Sequence, residues 1–156
     1  MPHLPSINKE AVTAAPVLSV IADRWSPRSY DANYKLTQHE LLSVLEAARW
    51  APSANNVQPW RFSVIHREDA MYHDLVDHGL KGWNQAWTPK ASAIIIVSAV
   101  TANDEGAANP FALYDAGLAS ENLMLQAVEL GLATHVMGGI EEAWLRDKLN
   151  LADNIT

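Results

Sequence analysis

A chain of 156 residues, 49% hydrophobic and 19% charged, has the size of one globular domain with a core of its own. It contains no cysteine, which excludes disulfides, thiolate nucleophiles, iron–sulfur clusters and thiolate zinc sites, so redox chemistry requires a bound cofactor. A formal net charge of -7 argues against a nucleic-acid partner and means that an anionic ligand needs a local basic pocket. The longest apolar run, at residues 93–100, is far short of the roughly 20 residues that span a bilayer. Met1-Pro2-His3-Leu4-Pro5 lacks the basic start and apolar stretch of a secretory signal, so no membrane contact and a cytoplasmic location are expected.

Along the chain, residues 1–15 read as a loose arm and 16–156 as one domain, with no repeat or linker to divide them. Val17, Leu18, Val20 and Ile21 predict a short helix that delivers a basic segment into a loop. Thr37 and Glu40 have the spacing of a capping box, and a helix follows over 38–50 on Leu41, Leu42, Val44, Leu45 and Ala48. Pro52 forbids its extension because it lacks an amide donor. A strand is expected at 61–66, where Phe62 and Val64 share a face, then a helix at 70–78. The Ile/Val run at 93–100 predicts a strand buried on both faces, the centre of the sheet.

The longest helix is expected over 111–130, with Leu113, Gly117, Ser120, Leu123, Met124, Ala127 and Leu130 inward and Gly131 as its left-handed cap. An extended stretch at 132–136, a glycine turn and a last helix at 142–149 complete an α+β chain without regular parallel units.

Three segments have chemistry suited to one ligand. Arg24, Ser26 and Arg28 place two guanidinium groups and a hydroxyl within five residues, a set that matches phosphate oxygens, although a solvated basic loop has the same composition. Ser53, Asn55, Asn56 and Gln58 lie in a loop whose side-chain amides can donate and accept, as a flat heterocycle requires. Met137-Gly138-Gly139 allows backbone to pass close to a ligand, or forms a plain turn. His73, Asp74, Asp77 and His78 offer i, i+4 pairs without a third ligand motif and read as a solvated helix face. A Gly-x-Gly-x-x-Gly fingerprint, a Walker loop and a Gly-x-Ser-x-Gly elbow are all missing, so a pyridine nucleotide enters as a visiting substrate.

The three segments, in this order and at these separations, resemble the FMN-dependent nitroreductase family over residues 17–149. The most specific part is Pro-Ser-x-x-Asn-x-Gln-Pro-Trp, met by Pro52, Ser53, Asn56, Gln58, Pro59 and Trp60. The basic Arg-x-Ser-x-Arg/Lys pattern is met by Arg24, Ser26 and Arg28, with Trp25 between them. The resemblance implies a three-layer α/β/α sandwich with a central mixed, mainly antiparallel sheet, assembled as a homodimer with the flavin between subunits.

It further implies that Arg24, Trp25, Ser26 and Arg28 hold the FMN phosphate and ribityl chain. Pro52, Ser53, Ala54, Asn56 and Gln58, together with Asn84, Met137, Gly138 and Gly139, would border the ring. Trp87 stands where some members carry lysine, and Asp115 and Asn122 lie on the helix that pairs subunits in the family. The family's further C-terminal strand and arm have no counterpart before Thr156, so the distal basic phosphate contacts are expected to be lacking. The implied activity is a ping-pong oxidoreductase in which NAD(P)H reduces FMN and a nitroaromatic or quinone reoxidises it. No side chain is a mandatory acid or base. A specialised dehydrogenase or dehalogenase of the same fold, and a non-catalytic flavin-binding or dimerising module, stay open.

Overall fold

The computed structural model describes residue 9 and residues 11–156. Most of the expected leading arm therefore lies outside the described residues; residues 11–15 carry no helix or strand and are exposed. Six α-helices are present among the described residues: α1 (Ser19–Asp23), α2 (Gln38–Arg49), α3 (Ala70–Asp74), α4 (Asn84–Trp87), α5 (Ala112–Glu129) and α6 (Glu142–Leu149). Two strands, β1 (Trp60–His66) and β2 (Ala93–Ala99), form an antiparallel pair.

The capping box at the start of α2 forms as the spacing predicts. Thr37 Oγ1 accepts the Glu40 amide at 3.2 Å and the Glu40 carboxylate accepts the Thr37 amide at 2.8 Å. The predicted helix at 70–78 divides into α3 and one π turn, Leu75–Gly79. Gly131 takes φ 72° after α5, and its backbone N–H bonds Val128 O at 2.9 Å. Glycine accepts this left-handed conformation without the Cβ penalty.

The β1–β2 register pairs Val64 with Ile95 and Ile65 with Ile94. Side chains alternate across a strand, so the first pair joins one core and the second pair the other. Above the sheet, Trp60, Phe62, Val64, Ile95 and Ala99 pack with α2 and α5. Below it, Ile65, Ile94 and Ile96 pack with Tyr72, Leu75, Val76, Leu80 and Leu145 of α3, the π turn and α6. Helices on both faces of a sheet make three layers, as the resemblance implies.

Three expectations need correction. The inward face of α5 is Ala112, Asp115, Ala116, Ala119, Leu123 and Ala127, whereas Leu113 is 63% exposed and Gly117 faces outward. Alanines permit the close approach of α2, so the small residues define the packed stripe and the large Leu113 is displaced from it. Residues 132–139 form no strand ladder. Residues 132–137 border a largely apolar cleft of about 630 Å³ that also runs along Ile94, Ile95, Ile96 and Val97. For the same reason β2 is not buried on both faces: Val97 is 41% exposed. Among the described residues the sheet consists of its antiparallel pair, with single bridges outside it, one of which joins Val100 to Ile155.

The lower core is anchored by two residues with no exposed surface, Tyr72 and Leu75. The Tyr72 hydroxyl lies 2.7 Å from Thr88 O and 2.8 Å from Ala91 O, so its single proton serves two carbonyls. Leu75→Ala should cost about 2–5 kcal/mol through lost burial and the cavity left behind. A urea titration would show this as a lower midpoint at unchanged slope. Burial pushes the Tyr72 phenol up to about 12, against a smaller opposing effect of Arg67, and burial likewise pushes Tyr30 up to about 12. Because the folded values lie above the unfolded value of 10.0, this stabilisation is complete below that pH and is lost as pH rises through about 12. Melting temperature measured from pH 9 upward should fall over that interval, and less steeply in Tyr72→Phe than in the parent.

Candidate functional site

Arg24 follows α1 directly, and extended backbone at this position (φ -68°, ψ 123°) ends the helix and leads into Trp25-Ser26-Pro27-Arg28. Pro27 is buried and Arg28 exposed. The segment is pinned from across the molecule by His135, whose Nδ1 lies 2.9 Å from Pro27 O. A carbonyl can only accept, so Nδ1 carries the proton in this contact. Arg24 Nη1 donates to Ser26 Oγ at 3.3 Å, and Lys9 Nζ lies 4.6 Å above the Trp25 ring. Arg24 and Arg28 thus lie four residues apart in an acidic chain, with no salt bridge to either among the described residues.

His135 belongs to a stack that braces this segment. Its ring lies 4.5 Å from Trp87, and Trp87 lies 5.9 Å from Tyr30. Trp87 is 7% exposed, so the residue standing at the family's lysine position is part of this buried stack. Trp83, by contrast, is 82% exposed.

The glycine segment meets Asn84. Asn84 Nδ2 donates to Gly139 O at 3.2 Å, and a Cβ on Gly139 would come within 2.8 Å of that same nitrogen. A side chain here would push the Asn84 carboxamide aside, so glycine permits this contact as it stands. Around Gly138 a Cβ would meet nothing within 4 Å, and the Ile140 amide closes a three-residue turn onto Gly138 O at 3.2 Å. Met137 lines the apolar cleft beside β2, the only candidate cofactor residue to do so.

The amide loop is a strained coil. Asn55, Asn56 and Gln58 have φ of 52°, 57° and 53°, a region that costs an L residue about 1–2 kcal/mol and that Asn tolerates best. Internal bonds hold it. Ser53 Oγ accepts the Gln58 amide at 3.0 Å, Gln58 Nε2 donates to Asn56 Oδ1 at 3.0 Å, and Arg61 Nη1 donates to Gln58 O at 3.2 Å. Pro52, Asn55, Asn56 and Val57 are exposed, and Ser53, Ala54 and Gln58 half-buried. The Ala54 amide is taken by Asp115 Oδ2 at 3.1 Å, and its carbonyl accepts the Val57 amide at 3.1 Å. Both Asp115 and His135 were missed as holding residues in the sequence reading, because each acts on a partner more than 60 residues away.

Within one chain the fold joins the basic segment to residue 135 and Asn84 to the glycine turn. Among the described residues no hydrogen bond links the amide coil to either. The coil instead hangs from the start of α5, and Val100 N bonds Pro59 O at 2.9 Å where β1 begins. No group of three or more His, Asp or Glu able to hold a metal occurs among the described residues, and no helix there is long and apolar enough to cross a membrane.

Comparison with known proteins sets this arrangement in context. The chain is 32% identical over 149 residues to an Archaeoglobus fulgidus protein named NADH dehydrogenase/NAD(P)H nitroreductase, covering 88% of this chain and 78% of that one. It is 30% identical over 132 residues to the Bacillus subtilis protein YodC, named NAD(P)H nitroreductase; that match covers 83% of this chain but only 61% of the relative's length. Among solved structures, an oxidoreductase containing FMN superposes with a TM-score of 0.87 at 35% identity, over 94% of this chain and 75% of that chain. A Desulfovibrio desulfuricans nitroreductase-type protein in complex with FMN superposes at 0.74 with 32% identity, over 90% and 79%. The fold is thus the nitroreductase fold expected from the motifs. The nitroreductase family model matches residues 21–90 and 72–156, and the chain belongs to that family.

Proposed function

We propose that the chain binds FMN and works as an NAD(P)H-dependent oxidoreductase on nitroaromatic, quinone or related acceptors. The observation that carries this reading is the unneutralised pair Arg24 and Arg28, held with Ser26 on a segment that His135 pins in place. Two forked guanidiniums and a hydroxyl fit the charge and geometry of a phosphate monoester. The exposed carboxamide of Asn56, the partly exposed Gln58, and the open backbone at Gly138 supply mixed donors and acceptors of the kind that a flavin ring edge takes up. The structural neighbours that contain FMN support the same assignment.

FMN, when bound, supplies two-electron transfer between a nicotinamide and an acceptor. The residues of this chain bind and orient. Arg24 and Arg28 take the phosphate charge, Trp25 covers the chain between phosphate and ring, and Asn84 fixes the glycine segment against the ring edge. With the redox chemistry carried by the flavin and protons exchanged with solvent, NAD(P)H and the acceptor would react with it in turn, a ping-pong scheme.

The distribution of the parts and the exposed apolar side chains support a homodimer. Within one chain no hydrogen bond joins the amide coil to the other two segments among the described residues, and a second copy would supply its coil to the first copy's basic segment. Large apolar side chains lie exposed on the elements beside it: Leu18 and Ile21 around α1, Trp50 after α2, and Phe111, Leu113 and Tyr114 at the start of α5. Apolar surface of this kind marks an association face. Residues 16–156 act as one domain.

Flavin titration of the purified protein tests the reading. A yellow complex that NADH or NADPH bleaches and an acceptor restores is expected; absence of any FMN binding overturns it, and a yellow protein that neither nucleotide bleaches leaves only a flavin-binding module. Arg28→Ala should raise the FMN dissociation constant roughly tenfold to a hundredfold, since a charge-assisted phosphate contact contributes about 1.5–3 kcal/mol. An unchanged constant would remove Arg28 from the phosphate site.

A further inference from the structure

Asp115 lies in the first turn of α5, and only 2% of its surface is exposed. A carboxylate is seldom buried to this degree unless a partner holds it. Its inward-facing helix neighbours Ala112, Ala116 and Ala119 are apolar and buried, and no cation pairs with it among the described residues. The contact that it makes is with a backbone amide, Ala54 N–H, at 3.1 Å and 61 positions away in sequence.

Ala54 opens the three-residue 3-10 turn Ala54–Asn56, and the first amides of such a turn have no partner inside it. The residue before the turn would ordinarily cap it. Ser53 does not, because its hydroxyl is taken by the Gln58 amide five residues on. Asp115 therefore caps this turn from another element, and its place at the N-terminal end of α5 suits a negative charge. The capped turn begins the run in which Asn55, Asn56 and Gln58 all take left-handed backbone. Conformations that costly persist only where surrounding contacts over-determine them.

We infer that Asp115 is a positioning residue for the flavin ring site: its carboxylate holds the coil at 53–58 in the conformation that presents the Asn56 and Gln58 amides. The inference rests on the FMN reading for its consequence but not for its structural content. Asp115 touches no ligand; it acts through Ala54.

Two readouts separate these parts. Amide hydrogen exchange in the flavin-free protein reports the coil directly, and FMN titration reports the consequence. Asp115→Leu keeps the volume in an apolar setting and removes the acceptor, so it should fold while Asp115→Ala leaves a cavity. Asp115→Asn keeps an oxygen in place. In Asp115→Leu the amides of Ala54, Asn56 and Gln58 should lose protection roughly tenfold or more, the lost bond to a charged acceptor being of that order. The FMN dissociation constant should rise by a similar factor while the urea midpoint stays near the parent's. Asp115→Asn should restore most of the protection and affinity. Parent-like protection of these amides in Asp115→Leu overturns the inference whatever FMN does. Lost protection with unchanged FMN affinity also overturns it, since the coil would then not govern the site. Lost protection in a protein whose parent form binds no FMN defeats the flavin reading and leaves the capping role standing.

Discussion

The close packing of α5 against α2 and the sheet is the constraint on which the rest of the molecule depends. It is possible because the inward stripe of α5 is alanine at 112, 116, 119 and 127, with Leu123 as its one large side chain. Small residues bring the backbones near enough for polar side chains of α5 to reach the main chain and side chains of its neighbours. Asn122 Nδ2 donates to Ala47 O at 3.2 Å, Gln126 Nε2 to Ser43 Oγ at 3.2 Å, and Asp115 receives the Ala54 amide. One helix thereby fixes both the end of α2 and the coil that follows it.

The polar residues on this helix decide geometry more than stability. A buried carboxylate in an alanine stripe carries a desolvation cost that one amide bond only partly offsets. Its position is best understood through the coil it caps, where three left-handed residues in four would otherwise relax. A similar logic holds on the opposite side of the molecule. His135 spends a ring nitrogen on Pro27 O, and its stack with Trp87 and Tyr30 sets where the basic segment lies without contributing charge to it.

Electrostatics then distinguish the segments. The chain is acidic overall, yet Arg24 and Arg28 are left without carboxylate partners among the described residues while Lys35, Arg49, Lys81 and Lys148 all have them. Surface pairs of that kind contribute little to stability, about 0–1 kcal/mol each. Arg61, Arg67 and Arg146 also lack carboxylate partners but donate to backbone carbonyls, so Arg24 and Arg28 are guanidiniums with neither kind of partner among the described residues. A second region, rich in amides, is built at the N-terminal end of α5. The division matches a ligand with an anionic tail and a polar, uncharged ring.

Local signals in the amino-acid sequence determined the elements whose causes are local. The Thr37/Glu40 box started α2, Pro52 stopped what followed it, the alternation of Phe62 and Val64 assigned their face of β1, and Gly131 closed α5. The three ligand segments were legible for the same reason, as short runs of residue types with matching chemistry. Tertiary structure alone decided which face of α5 is inward, because helical spacing admits both the stripe through Leu113 and the stripe through Ala112, and only the approach of α2 selects the smaller one. It decided that residues 132–136 line a cleft beside β2 instead of pairing with a neighbouring strand. It also decided that Asp115 and His135 hold backbone groups 61 and 108 positions away, contacts that exist only once the chain has brought distant segments together.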